Sequence, residues 1–489
     1  MIFEALFDFM DFTGWLLFSL TLLLLIDVVR NWRQHSFPPG PWAVPFLGNF
    51  VCLFFETQLA QKYGPVFSLR KGSERIVFIS GHKMVKEALV RQLDSFVDRP
   101  VVPLFHEVFK GIGIGLSNGY LWKQQRRFAT NHLRHFGEGQ KSLEKYIEVE
   151  TNFLCDAFKE EQGKAFNPHY IITTAVSNII SSVLFGHRFE YSDQTFRRVL
   201  ELDNEAIVFA GSPLSQLYNA FPGLLKHLPG PHQTVLGNYQ KIMTFLKKEV
   251  EKHQEEWNPD DPRDFIDVYL AEMEKKDPQA GFNLETLQVC ILDLIEAGTE
   301  SVATTLRVGI LIITVSTSVF SQKVQAEIDG VVGQSRQPTV ADRPNLPYTD
   351  AVIHETQRIG NIVPIGFPKM ASKDSILGGY LIPKGTTVNT ILASVLVDTK
   401  EWATPDIFNP EHFLDSEGQF RRRESFLPFS AGKRVCLGEH LARMELFLLF
   451  TSFLQRFTFS PVPGEMPSLE GVLGFTYSPN EFRILAEPR

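Results

Sequence analysis

The chain has 489 residues, 44% of them hydrophobic, so it can bury a large core, and its net charge of −8 argues against nucleic acid as a partner. Cys52, Cys155, Cys290 and Cys436 stand far apart, with neither CxxC nor zinc spacing. That usage excludes a disulfide framework and suits a reducing compartment.

From Phe12 to Ile26 the chain is apolar, and it can be extended to Val29 by accepting Asp27. This is short against the ~20 residues that a spanning helix needs. Glu4, Asp8 and Asp11 precede the stretch while Arg30 and Arg33 follow it. The positive-inside rule then predicts a membrane anchor that leaves the N-terminus outside the cytosol and the rest within it. A cleavable signal peptide is the alternative, with basic residues expected first. Phe37-Pro38-Pro39-Gly40-Pro41-Trp42 follows, stiff and extended, and stops any helix. No linker or repeat divides what comes after. The expected organisation is an anchor over 1–30, a Pro-rich hinge over 31–45 and one catalytic domain over 46–489.

Helical patterning dominates, as in Ser142–Glu161, Tyr239–Gln254 and the long apolar run Leu284–Val315. Short strand patterns appear at Val66–Leu69, Ile76–Ile79, Tyr380–Ile382 and Thr386–Ile391. The prediction is a mainly α fold with small β-sheets, not alternating βαβ units. Two motifs fail. Gly111-Ile112-Gly113-Ile114-Gly115 does not complete a dinucleotide fingerprint, and His354-Glu355 is followed by Arg358 where a zinc protease needs a second His. The apolar stretch from Phe221 to Pro231 either dips into a bilayer or packs on the core.

Trp122 and Arg126 stand one helical turn apart. An indole N–H and a guanidinium can there donate to one anion, or simply pack as a cation–π pair. Ala297-Gly298-Thr299-Glu300-Ser301 interrupts the long apolar helix with small residues, an acid and a hydroxyl. Small side chains let a flat group approach the backbone, and a local widening of the helix can hold water. Asp293, Glu296 and Glu300 form an acidic stripe, and repulsion at i, i+4 predicts a raised pKa for Glu296 or Glu300. Glu296 is expected to face a pocket, to support a proton relay, or to pair with a neighbouring helix. Glu355 and Arg358, at i and i+3, can pair on one face, with a second cluster at Pro410-Glu411-His412-Phe413.

Near the C-terminus stands Phe429-Ser430-Ala431-Gly432-Lys433-Arg434-Val435-Cys436-Leu437-Gly438. It offers a lone thiol in a loop that opens a helix, with an arginine two residues earlier. A thiolate so held suits the axial position of a haem iron. The N–H groups that follow can donate to it, and the fork of Arg434 suits a haem propionate. A buried free cysteine beside a turn is the plain alternative.

This run resembles the haem-binding signature of the cytochrome P450 superfamily at Phe429, Gly432, Arg434, Cys436 and Gly438. The resemblance extends from the hinge to the C-terminus. It looks most like the vertebrate microsomal family-two group, in its arachidonate-epoxygenase-like subgroup, through stretches such as Pro45–Phe50, Leu228–Thr234, Lys323–Asp329 and Glu401–Pro405. It implies the cytochrome P450 fold behind an N-terminal transmembrane helix, and haem b ligated by Cys436. Arg434, Trp122, Arg126, Arg99 and Lys369 would then hold the propionates, with Phe429, Gly438 and Ala297 also against the cofactor. Ser301, Glu300 and Thr299 would manage protons during dioxygen activation, a hydroxyl handing on what a carboxyl resupplies. Ser301 stands where Thr is usual; it keeps the hydroxyl, loses the stiff rotamer and is expected to leak more peroxide.

The same resemblance places Ile295, Glu296, Ile365, Phe475 and Thr476 on the substrate pocket. It gives Glu355, Arg358 and His412 a structural network, with His412 where many relatives carry Arg. The segment Val51–Tyr63 is short for the group, Ser316-Thr317-Ser318 lacks the usual Pro, and Leu396 and Thr399 replace common His and Pro residues. Lys123, Arg127, Arg134, Lys433 and Arg421-Arg422-Arg423 would form a basic face for an acidic electron donor. The implied partners are NADPH–cytochrome P450 reductase, a microsomal b-type cytochrome and the bilayer. The implied activity is a monooxygenase at the endoplasmic reticulum membrane, its catalytic domain cytosolic, that hydroxylates or epoxidises lipophilic substrates. Polyunsaturated fatty acids such as arachidonic acid come first, then drugs or steroids. The rivals are a peroxide-rearranging isomerase or dehydratase of the same fold and a non-catalytic haem sensor or lipid-binding protein.

Overall fold

The computed structural model describes residues 12–31, 36–49, 56–135, 143–275, 277–316 and 318–489. Glu4, Asp8, Asp11, Arg33, Thr317 and residues 51–55 lie outside these, as do the side chains of Arg30, Arg134 and Ser318. The chain divides into two compact units, residues 1–97 with 367–391, and residues 98–366 with 392–489. Helices and strands are numbered below for the elements that matter to the site.

The first unit begins with α1, Phe12–Arg30. Its stretch Phe12–Val29 has a mean hydropathy of 2.1 and none of it is buried. The helix is therefore long and apolar enough to cross a membrane. It runs through Asp27 because that carboxylate is taken up by Arg70 at 3.0 Å and by the Phe46 N–H at 3.2 Å. Strands β1 (Val66–Lys71) and β2 (Glu74–Ser80) form a hairpin with Val66 opposite Ile79 and Lys71 opposite Glu74. The two-residue turn needs a positive φ, which Gly72 supplies at 59°. With β3 (Lys369–Met370) and β4 (Thr387–Ile391) the sheet runs β1-β2-β4-β3, β4 lying parallel to β2. Phe67 and Phe78, directly opposite, stack at 5.3 Å and anchor its buried face.

The second unit is helical. Its main elements are α2 (Gly119–His135), α3 (Leu143–Glu160), α4 (His169–Phe185), α5 (Gln194–Ala210), α6 (Pro231–Glu255), α7 (Leu284–Val315), α8 (Pro347–Gly360) and α9 (Glu439–Arg456). The predicted helices over 142–161 and 239–254 are α3 and α6, and α6 starts earlier because Pro231 is placed at its first turn. Asn283 starts α7 by accepting the Thr286 N–H at 2.9 Å. At ~1.5 Å per residue α7 is about 48 Å long, and most of its 32 residues are buried, as expected of a helix apolar nearly all round. The apolar α4 lies along it, so close at Gly298 that a Cβ there would come to 3.3 Å from Ile180. No Pro ends α7; Ser316 turns extended (φ −73°, ψ 158°) and does so instead. Strands β5 (Phe457–Pro461) and β8 (Ile484–Pro488) pair antiparallel, as do β6 (Gly471–Leu473) and β7 (Tyr477–Pro479).

Glu355 and Arg358 on α8 are both fully buried and pair through two bonds of 2.7 and 2.8 Å. Glu355 also accepts the Asn409 N–H at 2.8 Å, and His412 Nδ1 stands 3.2 Å from its second oxygen. His412 Nε2 accepts from the Thr404 N–H, so Nδ1 is the nitrogen that donates to Glu355. Arg358 fills its remaining donors with the carbonyls of Leu396, Pro405 and Ile407. Since it binds the backbone of Leu396, the departure of that side chain from the family pattern costs the network nothing. A buried pair broken on one side leaves an unanswered charge. Glu355→Ala should therefore lower the unfolding free energy by about 3–5 kcal/mol, read as a drop in the urea midpoint at unchanged slope.

Candidate active site

Two left-handed residues, Ser430 (φ 61°) and Gly432 (φ 80°), fold the cysteine loop back on itself. The Cys436 N–H then donates to the Phe429 carbonyl at 3.0 Å, and α9 starts at Glu439. Cys155 and Cys290 are buried, whereas Cys436 is exposed. It lies deep enough that desolvation raises its thiol, against the N–H groups of Gly438 and Glu439, which favour the thiolate.

Three guanidiniums gather beside this loop. Arg434 lies over the Trp122 ring at 3.8 Å and donates to the Ser117 carbonyl at 2.6 Å and to Asn118 Oδ1 at 3.1 Å. Arg126 donates to the Val435 carbonyl at 2.5 Å, and Arg99 to the Gly115 carbonyl at 3.1 Å. Burial first, then mutual repulsion, lowers Arg434 to about 8 and Arg99 to about 9. Among the described residues Trp122 Nε1 is buried without a hydrogen-bond partner. A donor with no acceptor beside crowded cations is a receptor for an anion.

Asp293 ties this cluster to α7. Its carboxylate accepts the N–H groups of Ile114 at 2.6 Å and Gly115 at 3.1 Å. Burial raises Asp293 to about 6, opposed by those two N–H groups and by Arg99. A Cβ on Gly113 or Gly115 would come to 2.5 or 2.8 Å from the carboxylate, so the glycine run rejected as a nucleotide loop serves as its cradle.

The other two acids of the stripe part company. Glu300 Oε1 accepts the hydroxyls of Thr476 at 2.6 Å, and of Thr304 and Ser478 at 3.0 Å. Ser301 Oγ donates instead to the Ala297 carbonyl at 2.7 Å, so the two expected proton-handling side chains do not bond to each other. Glu296 reaches Asp203 of α5 and Tyr239 of α6. Burial and then the Asp203 charge raise Glu296 far above the carboxylate range, while burial raises Asp203 to about 7. The raised pKa expected for one acid of the stripe falls on Glu296, and its main cause is desolvation rather than Glu300. Ala297 is exposed and Ser301 half-buried within an otherwise buried helix. The expected widening is absent: the backbone stays α-helical from Leu284 to Val315.

The sequence profile of the cytochrome P450 family matches residues 38–485. The chain is a cytochrome P450. Its relatives include human cytochrome P450 2J2, 48% identical over 482 residues that cover 97% of this chain and 96% of that protein. Mouse cytochrome P450 2J5 is 47% identical over 96% of the chain and 95% of its own length. Rabbit cytochrome P450 2A11 is 41% identical over 97% of the chain and 98% of its own length. This P450 is thus a haem-dependent monooxygenase whose haem is bound through a cysteine thiolate and whose electrons come from NADPH through a reductase.

The residues present fit that cofactor. Cys436 supplies an accessible thiol with amide donors, and Trp122 Nε1 with the arginine cluster supplies what two propionates require. The remaining expected residues are dispersed. Ile295 belongs to the packed core, and Thr299 is 2% exposed with its hydroxyl unpartnered among the described residues. Thr476 is taken by Glu300, while Phe475, 41% exposed, stands edge-on to Phe105 at 6.4 Å. Ile365 is half-buried. Lys369 lies in the first unit, buried on β3, its Nζ near the Phe367 carbonyl at 3.5 Å. Asn118 and Asp203 were missed. Nothing in their local sequence distinguishes them, because Asn118 acts through Arg99 and Arg434 and Asp203 through Glu296.

With Asp203 raised from 3.8 to about 7, the fold favours its protonated form. That stabilisation is full below about pH 4 and is lost as pH rises through about 7. The melting temperature of the native chain should fall between about pH 4 and 7, and level off above that, relative to Asp203→Asn, whose amide cannot ionise. Parallel profiles would show an ordinary carboxyl.

Proposed function

We propose that the chain oxidises lipophilic substrates, polyunsaturated fatty acids such as arachidonic acid foremost, at the cytosolic face of the endoplasmic reticulum membrane. The observation that carries the chemistry is the accessible Cys436 thiol beside the Trp122–Arg434–Arg126–Arg99 cluster. Full-length similarity to 2J proteins supports the substrate class, together with the arachidonate-epoxygenase-like stretches of the sequence and the apolar Ile365 and Phe475. The unburied apolar α1 supports the membrane location, and exposed Leu224 and Leu228 suit a second contact with lipid.

Haem held at Cys436 supplies dioxygen activation and the transfer of one oxygen atom to the substrate. The N–H groups of Gly438 and Glu439 moderate the thiolate, while Trp122, Arg99, Arg126 and Arg434 hold the propionates. Ser301 releases its bond to the Ala297 carbonyl and hands a proton to the exposed side of α7. Glu300 resupplies it from the oxygen that its three hydroxyl partners leave free. Lys123, Arg127, Lys433, Arg421 and Arg422 are exposed and offer a basic face to an acidic reductase or b-type cytochrome. Arg423 does not join them, since it lies over the Trp402 ring at 4.9 Å.

The test is product analysis with arachidonic acid in membranes containing the chain, its reductase and NADPH. Epoxides that require NADPH are expected; no oxygenated product with haem loaded would overturn the fatty-acid assignment. Ser301→Ala should lower product per NADPH by about tenfold or more, with the difference appearing as peroxide. Ser301→Thr should match or exceed the native yield.

A further inference from the structure

Gln125 stands on α2 between Trp122 and Arg126 and keeps 1% of its surface. Its amide is answered at both ends. Nε2 donates to the Ala280 carbonyl at 2.9 Å, while Oε1 accepts the Tyr269 hydroxyl at 2.9 Å and the Cys290 thiol at 3.5 Å. A carbonyl only accepts, so Ala280 fixes which end of the amide is which. Burial raises both the Tyr269 phenol and the Cys290 thiol, which keeps the protons on these two donors. The partners come from three places: the helix Phe265–Met273, the loop before α7, and α7 itself, three residues ahead of Asp293. All three are buried, and the Tyr269 ring stands edge-on to Phe128 at 5.2 Å and to Phe282 at 5.0 Å.

A polar amide in such a place costs free energy unless it is paired, and an apolar side chain would fill the site without that condition. What the amide adds is a fixed position. An α-helix rises ~1.5 Å and turns ~100° per residue, so a slip of α2 by one residue breaks these bonds. Trp122 lies three residues before Gln125 and Arg126 one after it, so the same bonds set where both side chains point. Trp122 Nε1, unpartnered among the described residues, has no hydrogen bond of its own to hold it there.

We propose that Gln125 is a positioning residue for the haem: its bonds to Tyr269, Cys290 and Ala280 fix the rotation and height of α2, and so aim Trp122 and Arg126 at the propionates. The inference rests on the reading that these two side chains hold the propionates and adds what holds them in turn. Asp293 secures the loop before α2 through the N–H groups of Ile114 and Gly115, and Gln125 secures the helix itself to the same α7. Without the amide, Trp122 and Arg126 keep their chemistry but lose their shared alignment, and haem is released faster.

The experiment uses the full haem-loaded chain in phospholipid bilayers and follows haem transfer to excess apomyoglobin by absorption. Gln125→Leu, which leaves the Tyr269 hydroxyl and the Cys290 thiol without their acceptor, should lose haem on the order of 10-fold faster than the native chain. Trp122→Phe should lose it faster as well. The two together should lose haem no faster than the faster single variant, because one side chain acts through the other. Gln125→Glu, whose buried carboxyl keeps its proton and so offers a donor and an acceptor, should restore retention to within about threefold of native. Native retention in Gln125→Leu, rates that multiply in the double variant, or no rescue by Gln125→Glu overturns the inference and leaves the propionate reading standing. Native retention in Trp122→Phe overturns the propionate reading of that residue and the inference with it. Tyr269→Phe, which removes one hydroxyl and keeps the ring, provides the same comparison if Gln125→Leu impairs folding, with about a threefold faster loss expected.

Discussion

The buried carboxylate of Asp293 holds the active-site half of this molecule in place. Taking a carboxylate out of water costs several kcal/mol unless its oxygens are answered. Here the N–H groups of Ile114 and Gly115 answer them, and through that bond α7 fixes the loop before α2. The same loop presents the carbonyls of Gly115 and Ser117 and the amide of Asn118 to Arg99 and Arg434. Arg434 in turn belongs to the cysteine loop. One acid thus links the long helix α7 to the arginines of the cysteine-loop cluster by successive hydrogen bonds, without a covalent crosslink.

The three acids of α7 show how little spacing says about role. Asp293, Glu296 and Glu300 lie on neighbouring faces of one helix, yet each is neutralised differently: by backbone N–H groups, by a second carboxyl, and by hydroxyls of β7 and its turn. Apart from Thr304, one turn along from Glu300, these partners come from elements more than fifty residues away in the chain. The partners also keep Glu300 from bonding Ser301, whose hydroxyl donates to the Ala297 carbonyl. Around these acids the helix is packed against the apolar α4, at Gly298 closely enough that a Cβ would come to 3.3 Å from Ile180.

The network around Arg358 works on the same principle from the opposite sign. A guanidinium with no exposure is tolerated because a carboxylate and three carbonyls meet its five donors. An imidazole serves at position 412 because Thr404 fixes which nitrogen donates. Much of the specificity lies in backbone acceptors, which explains why side-chain departures such as Leu396 do not disturb it.

The sequence alone identified the family, the cysteine loop and the apolar helices, one of them long and apolar enough to cross a membrane, because each depends on local periodicity or on residues close together in the chain. Cys436, Arg434 and the glycines stand within one short loop, and α7 was readable end to end from its long, mostly apolar run. The Glu355–Arg358 pair was visible at i, i+3. Tertiary structure decided what the polar residues do. The glycine run at 111–115 is a cradle for Asp293, Thr476 donates to Glu300, and Asp203 meets Glu296 across two helices. Local sequence records which groups need a partner; only the packing of distant helices supplies the partner, and burial sets the charge that each group then carries.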